Sequence, residues 1–177
     1  MIAEGDRVVI RELEEGDLVR VLEWINDQEI AYYMGIRQRV TWPDQRAWYK
    51  RLKEDGSKQV FAIVLKEGLR HVGNVSLDNI NFIDQNARLT IFLGDRKLYG
   101  KGLGYDALRA FLGHCFRGLK LHRVYLIVHE ENERAIKLYS RCGFTTEGLL
   151  REHEFYQGRF VNKLLMGLLA QDFTEAK

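Results

Sequence analysis

Glycines at positions 100, 102 and 104 in LYGKGLGYDALRAF (98–111) sit between a strand-like run, ARLTIFL, and an amphipathic helical pattern. A helix start leaves its first backbone N–H groups unpaired and partly positive, so strand, glycine loop and helix in succession form a cradle for an anion. Glycine removes the side chains that would keep a phosphate away from those donors. A Walker loop is absent, because no Gly-Lys is followed by Ser or Thr. Gly102-Leu103-Gly104-Tyr105-Asp106-Ala107 does satisfy the dinucleotide pattern G-x-G-x-x-A, with Glu130 after a later strand. That fold needs several βαβ units after the loop, however, and here more than half the chain precedes it.

The loop gains meaning beside a second segment, ENERAIKLYSRCGF (131–144). Together they resemble the GNAT superfamily of acyl-coenzyme A N-acyltransferases. The family loop reads Q/R-x-x-G-x-G/A, and Tyr99-Gly100-Lys101-Gly102-Leu103-Gly104 fits except that Tyr99 stands in place of Gln or Arg. The second segment fits N-x-x-A-x-x-L-Y-x-x-x-G-F throughout, and the likeness extends to the first strand and the final hairpin. It implies acetyl-coenzyme A (acetyl-CoA) as cofactor, with its pyrophosphate on the N–H groups of Lys101, Gly102, Leu103 and Gly104. Arg96, Lys97 and Lys101 would add a favourable field. In the family the strand before the loop splays from the next, so the pantetheine arm would pair with backbone around Phe92 and Leu93, with Gly94 also in the expected cofactor set. Tyr99, Gly100 and Asn132 complete the expected cofactor set, Asn132 also capping the helix it begins.

N-acyl transfer needs an uncharged amine, stabilisation of an oxyanion and a proton for the departing thiolate. The resemblance assigns that proton to Tyr139, the expected catalytic residue. Many relatives carry a Glu in the strand before the loop, where this chain has Arg88. The base is therefore open: His129, Glu147, Glu152 or backbone carbonyls through water. His129 at the end of VYLIV also reads as a plain strand-end surface histidine, and Cys142 in YSRCGF as a packing residue.

Around these residues the pattern is one domain, 1–177, of mixed α/β type. Strands are expected at Arg7–Arg11, Gln59–Leu65, Arg70–Leu77, Ala87–Leu93 and Val124–Val128, and in a closing hairpin that turns at Gln157-Gly158. Helical periodicity marks Glu15–Trp24, Pro43–Glu54 (opened by the single proline), the segment from Leu103, and Asn132–Arg141; Tyr32–Arg39 has no clear period. The family likeness casts this as a GNAT fold, a mostly antiparallel, centrally splayed sheet flanked by helices. No apolar run reaches membrane-spanning length and the start lacks a secretory h-region, so a cytoplasmic protein is expected. Cys115 and Cys142 lack metal-site spacing, and no metal is expected. A net charge of +2 does not call for nucleic acid or a membrane as partner. The apolar LLMGLL strand could pair across a homodimer.

The expected reaction is direct acetyl transfer in a ternary complex to a small-molecule or peptide amine. The C-terminal half is similar to spermidine N-acetyltransferases, and the overall layout to ribosomal-protein N-terminal acetyltransferases. Six bases between residues 35 and 53 (Arg37, Arg39, Arg46, Lys50, Arg51 and Lys53) against Asp44 oppose a polycation, and the likeness of EWINDQEIAYYMG to enzymes acting on nucleotide-linked amino sugars favours an anion-bearing acceptor. The same bases also read as a solvated helix face. A non-catalytic acyl-CoA binding module is the remaining alternative, prompted by the missing strand Glu.

Overall fold

The run QVFAIVL forms β3 (Gln59–Leu65), where Phe61 and Ile63 pack into one apolar layer and Ala62 and Val64 into another. Successive side chains on a strand face opposite sides, so a strand covered on both faces reads as an unbroken apolar run. One covering layer holds α4 (Leu103–Gly113), which contributes Ala107, Leu108 and Phe111. The other holds α1 (Leu18–Ile25) and α3 (Trp42–Glu54), through Leu18, Val21, Trp48 and Leu52.

The computed structural model describes residues 1–174. Among them, the strands β1 (Ala3–Glu4), β2 (Val8–Glu12), β3, β4 (His71–Asn81), β5 (Asn86–Leu93), β6 (Arg123–His129), β7 (Thr145–Tyr156) and β8 (Arg159–Leu169) form one sheet. Their order is β1-β2-β3-β4-β5-β6-β8-β7. Every neighbouring pair is antiparallel except β5 and β6, which α4 connects in a βαβ crossover. This is the mixed, mostly antiparallel sheet expected. β8 lies between β6 and β7, so LLMGLL has both edges occupied and cannot pair across a dimer as expected; β7 forms the sheet edge instead.

Helix starts follow local chemistry. Pro43 does sit in the first turn of α3, behind a Thr41–Asp44 capping box. A helix that was not expected, α2 (Gln28–Met34), runs into the start of the aperiodic stretch Tyr32–Arg39; it is capped by Asp27 and stopped by Gly35 in the left-handed region. Its bracketing Asp and Gly were the available signal; with only seven residues it has too few turns for a periodicity to show. No helix among the described residues is long and apolar enough to cross a membrane.

Candidate active site

β5 and β6 pair only over Asn86–Arg88 and Arg123–Tyr125. Beyond that, β5 stays with β4 as far as Leu93, and β6 with β8 as far as His129. The strands thus diverge into a cleft of about 360 Å³, lined by both strands, the glycine loop and α5 (Glu133–Arg141). Gly94 N–H donates to Val72 O at 2.9 Å, so by strand alternation the backbone groups of Phe92 and Thr90 also face β4. The backbone groups facing the cleft are those of Leu89, Ile91 and Leu93. This corrects two expected cofactor contacts. Phe92 lines the cleft, but its backbone groups pair with β4 and are not open to an extended arm. Gly94 does not line it, and is glycine because a Cβ there would overlap the Trp24 ring.

Gly102 is the N-cap of α4 at φ +81° and has no side chain to cap with, and among the described residues no group accepts from the first-turn N–H of Leu103 or Gly104. Gly100 is also left-handed, and a Cβ on either glycine would meet no protein atom within 4 Å. Gly104 differs, for its φ is ordinary and a Cβ would rest 3.4 Å from Leu138. Lys101 does not line the cleft, and its carbonyl accepts from Arg7 Nη1 at 2.8 Å, which pins the loop. Tyr99, the departure from the family pattern, donates its hydroxyl to Leu93 O at 3.0 Å.

The expected basic field comes from different residues. Arg96 turns to Asp27 (2.7 Å) and Glu29 (3.2 Å), and neither it nor Lys97 lines the cleft. Arg134, Lys137 and Arg141 of α5 line it instead, with Arg134 over the Tyr99 ring at 4.0 Å and Arg141 over Tyr105 at 4.1 Å. Their i, i+3, i+7 spacing was the readable signal.

Tyr139 is buried and lines the same cleft. Burial, with Cys142 adding to it, pushes its hydroxyl well above an ordinary phenol. Asn132 caps α5, its Oδ1 accepting from Ala135 N at 3.1 Å, and it too lines the cleft. Burial also pushes the Cys142 thiol up to about 12, so it holds its proton and packs.

Among the open candidates for a base, Glu147 is committed to Arg123 on the far end of β6, and Glu152 is exposed at a β7 irregularity. Arg88 pairs across the sheet with Asp78, whose carboxylate also holds Lys58 at 2.8 Å. His129 is buried rather than on the surface, lines the cleft, and lies 3.9 Å from the buried Glu154. Glu154 escaped sequence reasoning because nothing in EGLLREHEF marks which acid turns inward.

A second cavity of about 420 Å³ lies between α1, α3 and the sheet, and shares Met34, Thr90 and Phe92 with the cleft. Gln45 and Asn74 are its buried polar groups, Gln45 Nε2 having no partner, and Arg51 and Lys58 also line it. Arg46, Lys50 and Lys53 are exposed and do not border it.

A family model described as Acetyltransferase (GNAT) domain matches residues 7–145. The chain is 29% identical over 170 residues to spermidine N(1)-acetyltransferase of Vibrio cholerae serotype O1, covering 96% of each. It is 22% identical over 185 residues to the Escherichia coli K12 [ribosomal protein uS5]-alanine N-acetyltransferase, covering 97% of this chain and 92% of that one. The structure of spermidine N-acetyltransferase from Vibrio cholerae in complex with CoA and spermine superposes with a TM-score of 0.88 at 29% identity, over 94% of this chain and 97% of the other. With an uncapped glycine loop at the mouth of a splayed sheet and a family match over most of its length, the chain belongs to the GNAT acetyltransferases.

Proposed function

We propose that the chain transfers the acetyl group of acetyl-CoA directly to a primary amine, and that the acceptor is a polyamine of the spermidine class. The observation that carries the acceptor class is the near full-length likeness to spermidine acetyltransferases in both sequence and fold. The basic count between residues 35 and 53 loses its force against this class, because Arg46, Lys50 and Lys53 of α3 point to solvent.

The residues present fit the cofactor. The uncapped donors of Leu103 and Gly104, with Arg134 and Arg141 beside them, suit a pyrophosphate. The open backbone of Ile91 and Leu93 N–H suits the amides of an extended arm. When bound, acetyl-CoA supplies a thioester carbonyl activated toward amines. Tyr139 gives its hydroxyl proton to the departing sulfur; the desolvation that raises the phenol raises the thiol of the leaving group too, so the transfer stays feasible. Both cysteines are buried and their thiols pushed up, which leaves no thiolate for an acyl-enzyme and favours direct transfer.

A second reading is favoured by the second cavity: Gln45, Asn74, Arg51 and Lys58 suit an acceptor that carries oxygens or an anion, such as a nucleotide-linked amino sugar. Initial rates with spermidine, a nucleotide-linked amino sugar and an alanine-starting peptide separate the readings. Preference for spermidine is the expected result; preference for the sugar overturns it in favour of the second reading.

A further inference from the structure

At 2% exposure His129 is as buried as the core leucines, yet neither of its ring nitrogens has a hydrogen-bond partner. Buried imidazoles normally spend those nitrogens on carbonyls or carboxylates. The surroundings hold the ring without using them. Tyr32 and Tyr33 of α2 lie edge-on to it, centroids 4.7 and 5.5 Å away. Glu154 Oε2 of β7 is 3.9 Å from Nε2, beyond hydrogen-bond reach, and contacts Lys163 of β8, while Glu154 Oε1 is unpartnered. Glu131 and Arg159 complete the charged groups, meeting at the Tyr32 hydroxyl. His129 and Tyr139 line the same cleft, on β6 and α5.

From this geometry we infer that His129 is the base that takes the acceptor's proton, with Glu154 as a positioning residue behind it. The inference rests on the reading of the chain as an N-acetyltransferase and supplies the base that Arg88, in the strand position, does not. As the acceptor nitrogen's lone pair forms the C–N bond, that nitrogen becomes cationic and loses an N–H proton to the imidazole, keeping the electron pair. The C–S bond breaks with its pair on sulfur, which takes the Tyr139 proton. The imidazolium then releases a proton to solvent and the phenolate regains one, so both residues return to their starting states. Burial holds His129 below an ordinary imidazole, Lys163 and Arg159 adding to this while Glu154 and Glu131 oppose it, so the ring is neutral and able to accept at neutral pH.

The test joins kinetics to a titration that needs no turnover. With the fastest acceptor of the panel, His129→Gln should lower kcat/KM about 100- to 10,000-fold, remove the acid limb of its pH profile, and leave CoA affinity by calorimetry unchanged. Glu154→Gln should move that limb to lower pH, since Lys163 is then unopposed. Ring titration of His129 by NMR in the free protein should show a transition below about 6.5. A His129→Gln enzyme that keeps its rate and acid limb, or a His129 ring protonated at neutral pH, overturns the inference. Because the titration involves no acceptor and the assay takes whichever acceptor works, loss of the polyamine reading leaves this result interpretable.

Discussion

The Tyr99 hydroxyl donates to the carbonyl of Leu93 across 3.0 Å, tying the glycine loop back to the last residue of β5. That carbonyl would otherwise be an open group at the end of the splayed edge. Tyr99 also carries Arg134 on its ring, so one side chain fixes both the loop and a base at the cleft mouth. Tyr99→Phe keeps the ring and deletes the bond. A net hydrogen bond contributes about 1 kcal/mol to stability, so the melting temperature should fall by about 2–4 °C, and calorimetry should show weaker CoA binding as the loop is released from β5. Unaltered affinity would mean the loop is held without this bond.

Residue facing decided what could be read from the sequence and what could not. The glycine loop and the helix with Tyr139 were legible because their spacing is local: three glycines before a helix, and a tyrosine one position after an apolar leucine. The run QVFAIVL announced a strand for the same reason, whereas its cover on both faces comes from the packing of α1, α3 and α4. Charge placement was not local. Arg96 adjoins the loop in sequence but turns to Asp27, whereas Arg134 and Arg141 reach the cleft from a helix far along the chain. His129 looked like a strand end, and only the packing of α2 and β7 against it buries it. Gly94 and Phe92 were assigned to the cofactor because they end the right strand, but the direction of their backbone groups depends on the pairing of β4.

The loop glycines should separate by backbone conformation. Gly102 is at φ +81°, where a side chain is strained by roughly 1–2 kcal/mol, and its Cβ would project where no protein atom lies. Gly102→Val should therefore lose CoA affinity strongly while remaining folded. Gly104→Ala should bind CoA nearly as well as the parent, because its added methyl meets Leu138 at 3.4 Å, an ordinary contact. Equal losses in the two variants would remove the distinction between a strained cap and a packed helix turn.

Tyr139→Phe preserves the ring contact with Phe144 at 5.9 Å and removes one proton. Its effect should fall on kcat, by about tenfold to a thousandfold, with CoA affinity unchanged. Steady-state rates on the preferred acceptor, together with calorimetry, decide this. A normal kcat would show that the thiolate leaves without the phenol, or that another acid serves.

Acid should destabilise the fold in two stages. Burial holds His71, His114 and His129 below the ordinary imidazole value, with Lys163 adding to the effect at His129. Below about pH 6.5 the unfolded chain then binds protons that the folded chain refuses. The stability these neutral rings provide is full above that pH and is lost as pH falls through their folded values. A second loss follows at lower pH. Arg123 holds Glu147 below the ordinary carboxylate value through its hydrogen bond, and Tyr32 does the same for Glu131, so both carboxylates must be protonated against their partners. His114 isolates the first stage, since burial alone lowers it and it packs against Phe111 and Phe61 away from the cleft. Thermal melts from pH 7 to pH 5 should show a shallower fall in melting temperature for His114→Gln than for the parent, even if the variant starts lower. Parallel curves would mean that His114 titrates alike in the folded and unfolded chain, and that its burial does not contribute to the acid transition.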